Sequence, residues 1–161
     1  MSQTESRASI GPVQIGVVVL ALATAAIHLY LFFIEGFLGN GEMLPKYQFL
    51  FVGNFFGYLA LLAALYLPIS PLARFRPVIR AFLIAMAFAA ILSYVRVGVF
   101  DALGWVDKVV EVLLIVAVTA DAGMSGDESG GGGARDAILQ LAIGLAAGLG
   151  MFLFLSLFIG G

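Results

Sequence analysis

The chain has no cysteine. Disulfides, thiolate nucleophiles and cysteine-ligated zinc or iron–sulfur centres are therefore excluded. Histidine occurs once, as His28, so one chain offers no pair of imidazoles for a bis-histidine haem or a multi-histidine metal site. Charge is also scarce: 11% of the 161 residues are Asp, Glu, Lys or Arg. The eight basic residues against ten acidic ones give a formal net charge of −2, and no basic patch of the kind that grips nucleic acid is present. No phosphate loop, HExxH, GxSxG or pair of catalytic carboxylates beside an activated nucleophile is found. No catalytic residue and no enzyme activity is expected.

What the chain has is apolar length. Hydrophobic residues make up 62% of it, against roughly 45–50% in soluble domains. They fall in five runs, about Pro12–Ile34, Tyr47–Leu67, Val78–Val97, Leu103–Ala120 and Ala137–Ile159. Each approaches the ~20 residues that carry a helix across a ~30 Å hydrocarbon core. Runs of this length exceed the ~9–11 residues of a barrel strand, and in lipid a helix satisfies its own backbone. The expected fold is all-α: a polytopic transmembrane helical bundle with five spans. Run four is the weak member. Its purely apolar part, Val112–Ala120, is short, and Asp107, Lys108 and Glu111 precede it, so four spans is the alternative. Run one is too long for a signal-peptide core and lacks a basic flank, so a retained span is expected there.

The connections divide the chain. Residues 1–11 read as a disordered N-terminus, 12–122 as a four-helix unit, 123–136 as a glycine-rich acidic linker and 137–161 as a fifth helix tethered to the unit. With five spans, Arg7, Arg74, Arg76, Arg80 and Arg135 lie on one side, and Lys46, Arg96 and Lys108 on the other. The positive-inside rule then puts the N-terminus in the cytoplasm and the C-terminus outside a cell membrane.

This topology gathers the intramembrane polar residues in the outer half. His28, Glu35, Asn54, Arg96 and Glu111 come from four runs yet reach similar outer-half depths; Gln48, Ser93 and Asp107 join them nearer the interface, with Lys108 next to Asp107. Charges at such depth are costly and should face the bundle axis. Asp107 and Glu111 share a helical face as i,i+4, and Lys108 stands three residues before Glu111. Arg96, across a short connection, is the expected partner of Asp107 or Glu111, because a guanidinium fork matches a carboxylate. His28 should point inward. Two roles compete: interhelical glue, or a polar pocket for a proton, ion or small ligand. His28 alone is the candidate for cofactor binding, as an axial haem or pigment ligand; zinc is disfavoured on one imidazole and carboxylates, and no metal or resident cofactor is expected. Gly53-x-x-x-Gly57 and Gly144-x-x-x-Gly148 are patterns that bring helices close, inside the monomer or between copies of a homo-oligomer.

Three stretches carry a resemblance: Ile27-His28-Leu29-Tyr30; Leu50 through Asn54 to Gly57-Tyr58; and Leu103-Gly104-Trp105-Val106-Asp107-Lys108 with Glu111. In this order the chain resembles, over about residues 12–122, a group of small, uncharacterised prokaryotic membrane proteins with about four spans. The resemblance implies an integral membrane protein and no particular activity. The leading functional expectation is a non-enzymatic integral membrane protein, an accessory or assembly subunit whose partners are the lipid bilayer and other membrane proteins. A small transporter or channel subunit using the outer polar cluster, or a haem or pigment protein through His28, are the alternatives.

Overall fold

The computed structural model of the protein describes residues 10–38, 43–98, 100–125 and 133–159. These residues form an all-α helical bundle with no strand among them. The helices are α1 (Pro12–Tyr30), α2 (Pro45–Tyr66), the single turn α3 (Ser70–Ala73), α4 (Arg76–Val97), α5 (Ala102–Met124) and α6 (Gly133–Ile159). Prolines sit at the first turns of α1, α2 and α4, where a missing N–H costs nothing. The stretches 12–37, 45–66, 76–97 and 133–157 are each long and apolar enough to cross a membrane. Successive long helices pack on one another, so the chain runs up and down, and α4 makes its broadest contact with α6.

Helix α5 shows which solvent the bundle is built for. Its buried face carries Asp107, Lys108, Glu111 and Asp121. Its exposed face carries Trp105, Val106, Val109, Val112, Leu113 and Val116. A helix on a soluble domain has the reverse polarity. Charges inside and aliphatic side chains outside is the arrangement lipid requires. The shared core beneath is Val17, Ala21, Tyr58, Leu62, Leu83, Ile84, Leu114 and Val118.

Several expected boundaries shift. The first helix does not stop at Ile34. It continues as a π-helical segment over Leu31–Phe37, closed by Leu38 N–H donating to the Phe33 carbonyl, so Glu35 lies in helix beyond the expected end of the run. Run four is a full helix of 23 residues, capped at its start by the Asp101 carboxylate, which accepts from Gly104 N–H. The expected linker 123–136 is shorter, because α5 reaches Met124 and α6 begins at Gly133. The last helix is also more than tethered. Ala137, Gln140, Gly144 and Gly148 form its buried seam. A Cβ on Gly144 would lie 2.6 Å from Ile84 Cγ2 and 2.9 Å from the Ala81 carbonyl, and one on Gly148 would lie 2.7 Å from the Ala85 carbonyl. The absence of both Cβ atoms lets α6 lie against the backbone of α4. Most of the expected disordered N-terminus, residues 1–9, is outside the described residues.

Candidate functional site

Two charge clusters sit along α5. The first lies near its start and joins α1, α2 and α5. On α1, Val17, Ala21, Thr24, Ala25 and His28 form the buried stripe, so Thr24 and His28 face the bundle one turn apart. On α5 the 107–108–111 spacing brings Asp107, Lys108 and Glu111 to the facing surface, and α2 contributes Tyr58. All six are buried, Glu111 completely.

Lys108 Nζ bridges the two carboxylates, 2.9 Å from Asp107 Oδ2 and hydrogen-bonded to Glu111 Oε2. Each acidic group is also held from behind. Asp107 Oδ1 accepts from the Thr24 hydroxyl at 2.7 Å. Glu111 Oε1 accepts from the Tyr58 hydroxyl at 3.1 Å and lies 3.5 Å from the Thr24 hydroxyl. His28 Nδ1 lies 2.9 Å from the Thr24 carbonyl; with no donor there except the ring, Nδ1 carries the proton and donates. The opposite nitrogen, Nε2, then faces Asp107 Oδ2 at 3.9 Å. Phe51 and Tyr58 flank the imidazole at ring separations of 5.8 and 6.0 Å. Gly104 gives room above the cluster. A Cβ there would collide with the Tyr94 ring, so its absence lets Tyr94 lie across α5, with Lys108 Nζ 5.7 Å from the ring centre.

The second cluster lies near the end of α5. Arg80 Nε donates to Asp121 Oδ2 at 2.8 Å, and Arg80 Nη2 donates to the Ser125 hydroxyl at 2.7 Å. Both charged partners are buried. This pair is balanced, one cation for one anion. The first cluster is not: two carboxylates face one ammonium.

His28 points inward as expected, and Asp107, Lys108 and Glu111 come together with it. The other expected members do not join. Arg96 is exposed and makes no ion pair among the described residues. It stands in the last turn of α4, where Gly98 at φ 72 turns the chain away, and Lys108 already occupies both carboxylates from the same helix. Arg96 instead lines a small cavity of about 60 Å³ with Tyr47, Ser93 and Ser156. Glu35 is exposed, because the wider π turn advances fewer degrees per residue and rotates it off the His28 face. Asn54 is half-buried without a hydrogen bond among the described residues, and Tyr58, one turn further, represents α2 in its place. Gly53 opens outward with nothing near its Cβ position, whereas Gly57 faces Met86, so these two do not form one seam.

Thr24, Tyr58 and the Arg80–Asp121 pair escaped the sequence reading. Thr24 had one readable signal: it precedes His28 by four residues and so shares its face. Tyr58 had none short of knowing how α2 is rotated. No family model, curated protein or solved structure matches this chain. The site's chemistry therefore rests on its own geometry.

His28, Asp107 and Glu111 each offer an atom within 4.8 Å of the others, which makes them the described group able to hold a metal ion. A cavity of about 370 Å³ between α4 and α6, lined by Pro77, Phe82, Asp136 and Gln140 among others, touches none of them. His28 therefore has no macrocycle-sized space on its Nε2 side in either described cavity, and the haem or pigment reading draws no support from the geometry.

Thr24 is the keystone of the cluster, since its hydroxyl and carbonyl reach Asp107, Glu111 and His28. Thr24→Val keeps the shape and removes the hydroxyl. It should lower stability by about 1–2 kcal/mol, the range between ordinary interhelical bonds and bonds to charged groups. Thermal unfolding in detergent checks this; an unchanged midpoint would mean the hydroxyl is dispensable to the cluster.

Proposed function

We propose that the chain is a non-enzymatic, multi-pass protein of the cell membrane that handles a cation, as a small transporter or channel subunit, alone or within a larger membrane complex. One observation carries this reading: the buried cluster of α1, α2 and α5 holds two carboxylates against one ammonium. Glue has no use for the surplus charge, and the Arg80–Asp121 pair in the same bundle shows how balanced glue looks. An uncompensated charge away from water is costly, so a mobile cation completes the cluster. A proton is the smallest that can do so.

Five spans fit this reading. At ~1.5 Å per residue α5 is about 34 Å long, enough to cross the hydrocarbon core, and its outward face is apolar. Arg74 and Arg76, in or next to the connection before α4, favour that end as the cytoplasmic one. The cluster then lies in the outer half, with the N-terminus inside and the C-terminus outside. A C-terminal reporter active only in the cytoplasm would contradict this orientation.

Glu111→Gln tests the function. The change keeps shape and removes one negative charge, leaving Asp107 and Lys108 as a balanced pair. In liposomes enclosing a pH-reporting dye, with a potassium diffusion potential as driving force, the wild type should admit protons, and the variant should be slower by ~10-fold or more. Its thermal midpoint should hold or rise. If the cluster is glue, the variant instead melts earlier, through loss of the Lys108 and Tyr58 bonds, and proton entry does not differ.

A further inference from the structure

We infer that His28, Asp107 and Glu111 form a site for one divalent transition-metal ion, with the Lys108 ammonium as a tethered cation that the metal displaces. The inference rests on the cation-handling reading above and names the class of cation.

The orientation of the three ligands is the main argument. Each is held from outside by one atom and leaves the other turned inward. His28 Nδ1–H donates to the Thr24 carbonyl, which sets the tautomer with the Nε2 lone pair free. Asp107 Oδ1 is held by the Thr24 hydroxyl, and Glu111 Oε1 by the Tyr58 hydroxyl. Nε2 and Oδ2 then face each other at 3.9 Å, and Oδ2 and Oε2 meet at the Lys108 ammonium. Outer partners of this kind, a backbone carbonyl on the far nitrogen of the histidine above all, are what fix ligands around a metal. No described hydrogen bond engages Nε2, on a residue only 2% exposed.

The space now holds an ammonium. Lys108 Nζ touches both Oδ2 and Oε2, so it marks where a cation sits. The dimensions fit a metal with small adjustments. At metal–ligand lengths of ~2.0–2.2 Å, two ligand atoms on one ion stand at most about 4.3 Å apart. The three groups lie within 4.8 Å of one another, and Nε2 to Oδ2 is 3.9 Å. One imidazole and two carboxylates suit zinc, manganese or iron(II) better than magnesium or calcium, which favour oxygen alone.

Charge decides the exchange. With Lys108 in place, Asp107 and Glu111 are half neutralised; a divalent ion neutralises both. Lys108 can leave because it ends a flexible four-carbon stem and lies under the Tyr94 ring near the start of α5, with 8% of its surface exposed.

The experiment uses the full-length chain in detergent, stripped with a chelator and titrated with Co²⁺, whose visible absorption reports nitrogen and oxygen ligation. The wild type should bind one ion per chain with a saturable band. His28→Gln should weaken binding ~100-fold and remove the band, and Lys108→Gln, which removes the competitor, should tighten it ~10-fold or more. Binding equally strong in wild type and His28→Gln would overturn the site. So would the absence of saturable binding in the wild type, a result that does not depend on any variant folding. Proton entry sensitive to Glu111→Gln without metal binding would leave the cation-handling reading standing and this inference refuted. Metal binding without ion movement would do the opposite.

Discussion

Lys108→Met should be the most damaging single change near the cluster. It deletes the only ammonium between two buried carboxylates, one of them fully enclosed. Removing one partner of a buried ion pair typically costs 3–5 kcal/mol, because the remaining charge stays in low dielectric without compensation. Here one deletion strands two charges. The loss should be at the upper end of that range, seen as a fall of about 10 °C or more in the thermal midpoint in detergent, or as failure to accumulate folded protein. Adding Glu111→Gln should recover much of the loss, because it removes one of the stranded charges. Arg96→Met, at an exposed position in the last turn of α4 with no ion pair among the described residues, should change stability by less than about 1 kcal/mol. A Lys108→Met protein as stable as the wild type would show that the carboxylates do not depend on this ammonium.

The second large effect is expected where α6 meets α4. Gly144→Leu together with Gly148→Leu should unseat the last helix. Even the first added carbon meets immovable atoms: Ile84 Cβ at 2.7 Å and the Ala81 carbonyl for residue 144, the Ala85 carbonyl and Cα for residue 148. Overpacking a tight contact usually costs 1–3 kcal/mol per site, and backbone clashes leave no rotamer by which to escape. The pair should lose roughly 4 kcal/mol or more, read as an early unfolding step. Gly16→Leu and Gly150→Leu are the controls, since nothing lies within 4 Å of a Cβ at either position. If the 144–148 pair served a homodimer seam instead, the double variant would convert a dimer to a stable monomer, and the melting of the monomer would not move.

Sequence and structure divided the work along physical lines. Apolar length fixed the helices, because a run near 20 residues has one solution in lipid. Spacing fixed what shares a face within one helix: Asp107, Lys108 and Glu111 on α5, Thr24 and His28 on α1. The prediction that His28 and the α5 charges point inward followed from the cost of charge in hydrocarbon, and the packed bundle agrees for these, though not for Arg96.

Azimuth was not legible. Which residue of α2 meets α5 depends on how α2 is rotated and where its neighbours press on it, so Asn54 was expected and Tyr58 is found. Arg96 and Glu35 failed for related reasons: a left-handed turn at Gly98 and a π segment after Tyr30 redirect both, and neither leaves a pattern in hydropathy. The balance of charge in each cluster was the last thing decided. The residue list offers Lys46, Arg96 and Lys108 as basic candidates for the first cluster, and only the packed bundle assigns Lys108 to both carboxylates and Arg80 to Asp121. That assignment leaves one cluster neutral and the other short of a positive charge, because the packing of α4 against α5 brings Arg80 to Asp121 and leaves Arg96 exposed, away from the carboxylates that Lys108 bridges within α5.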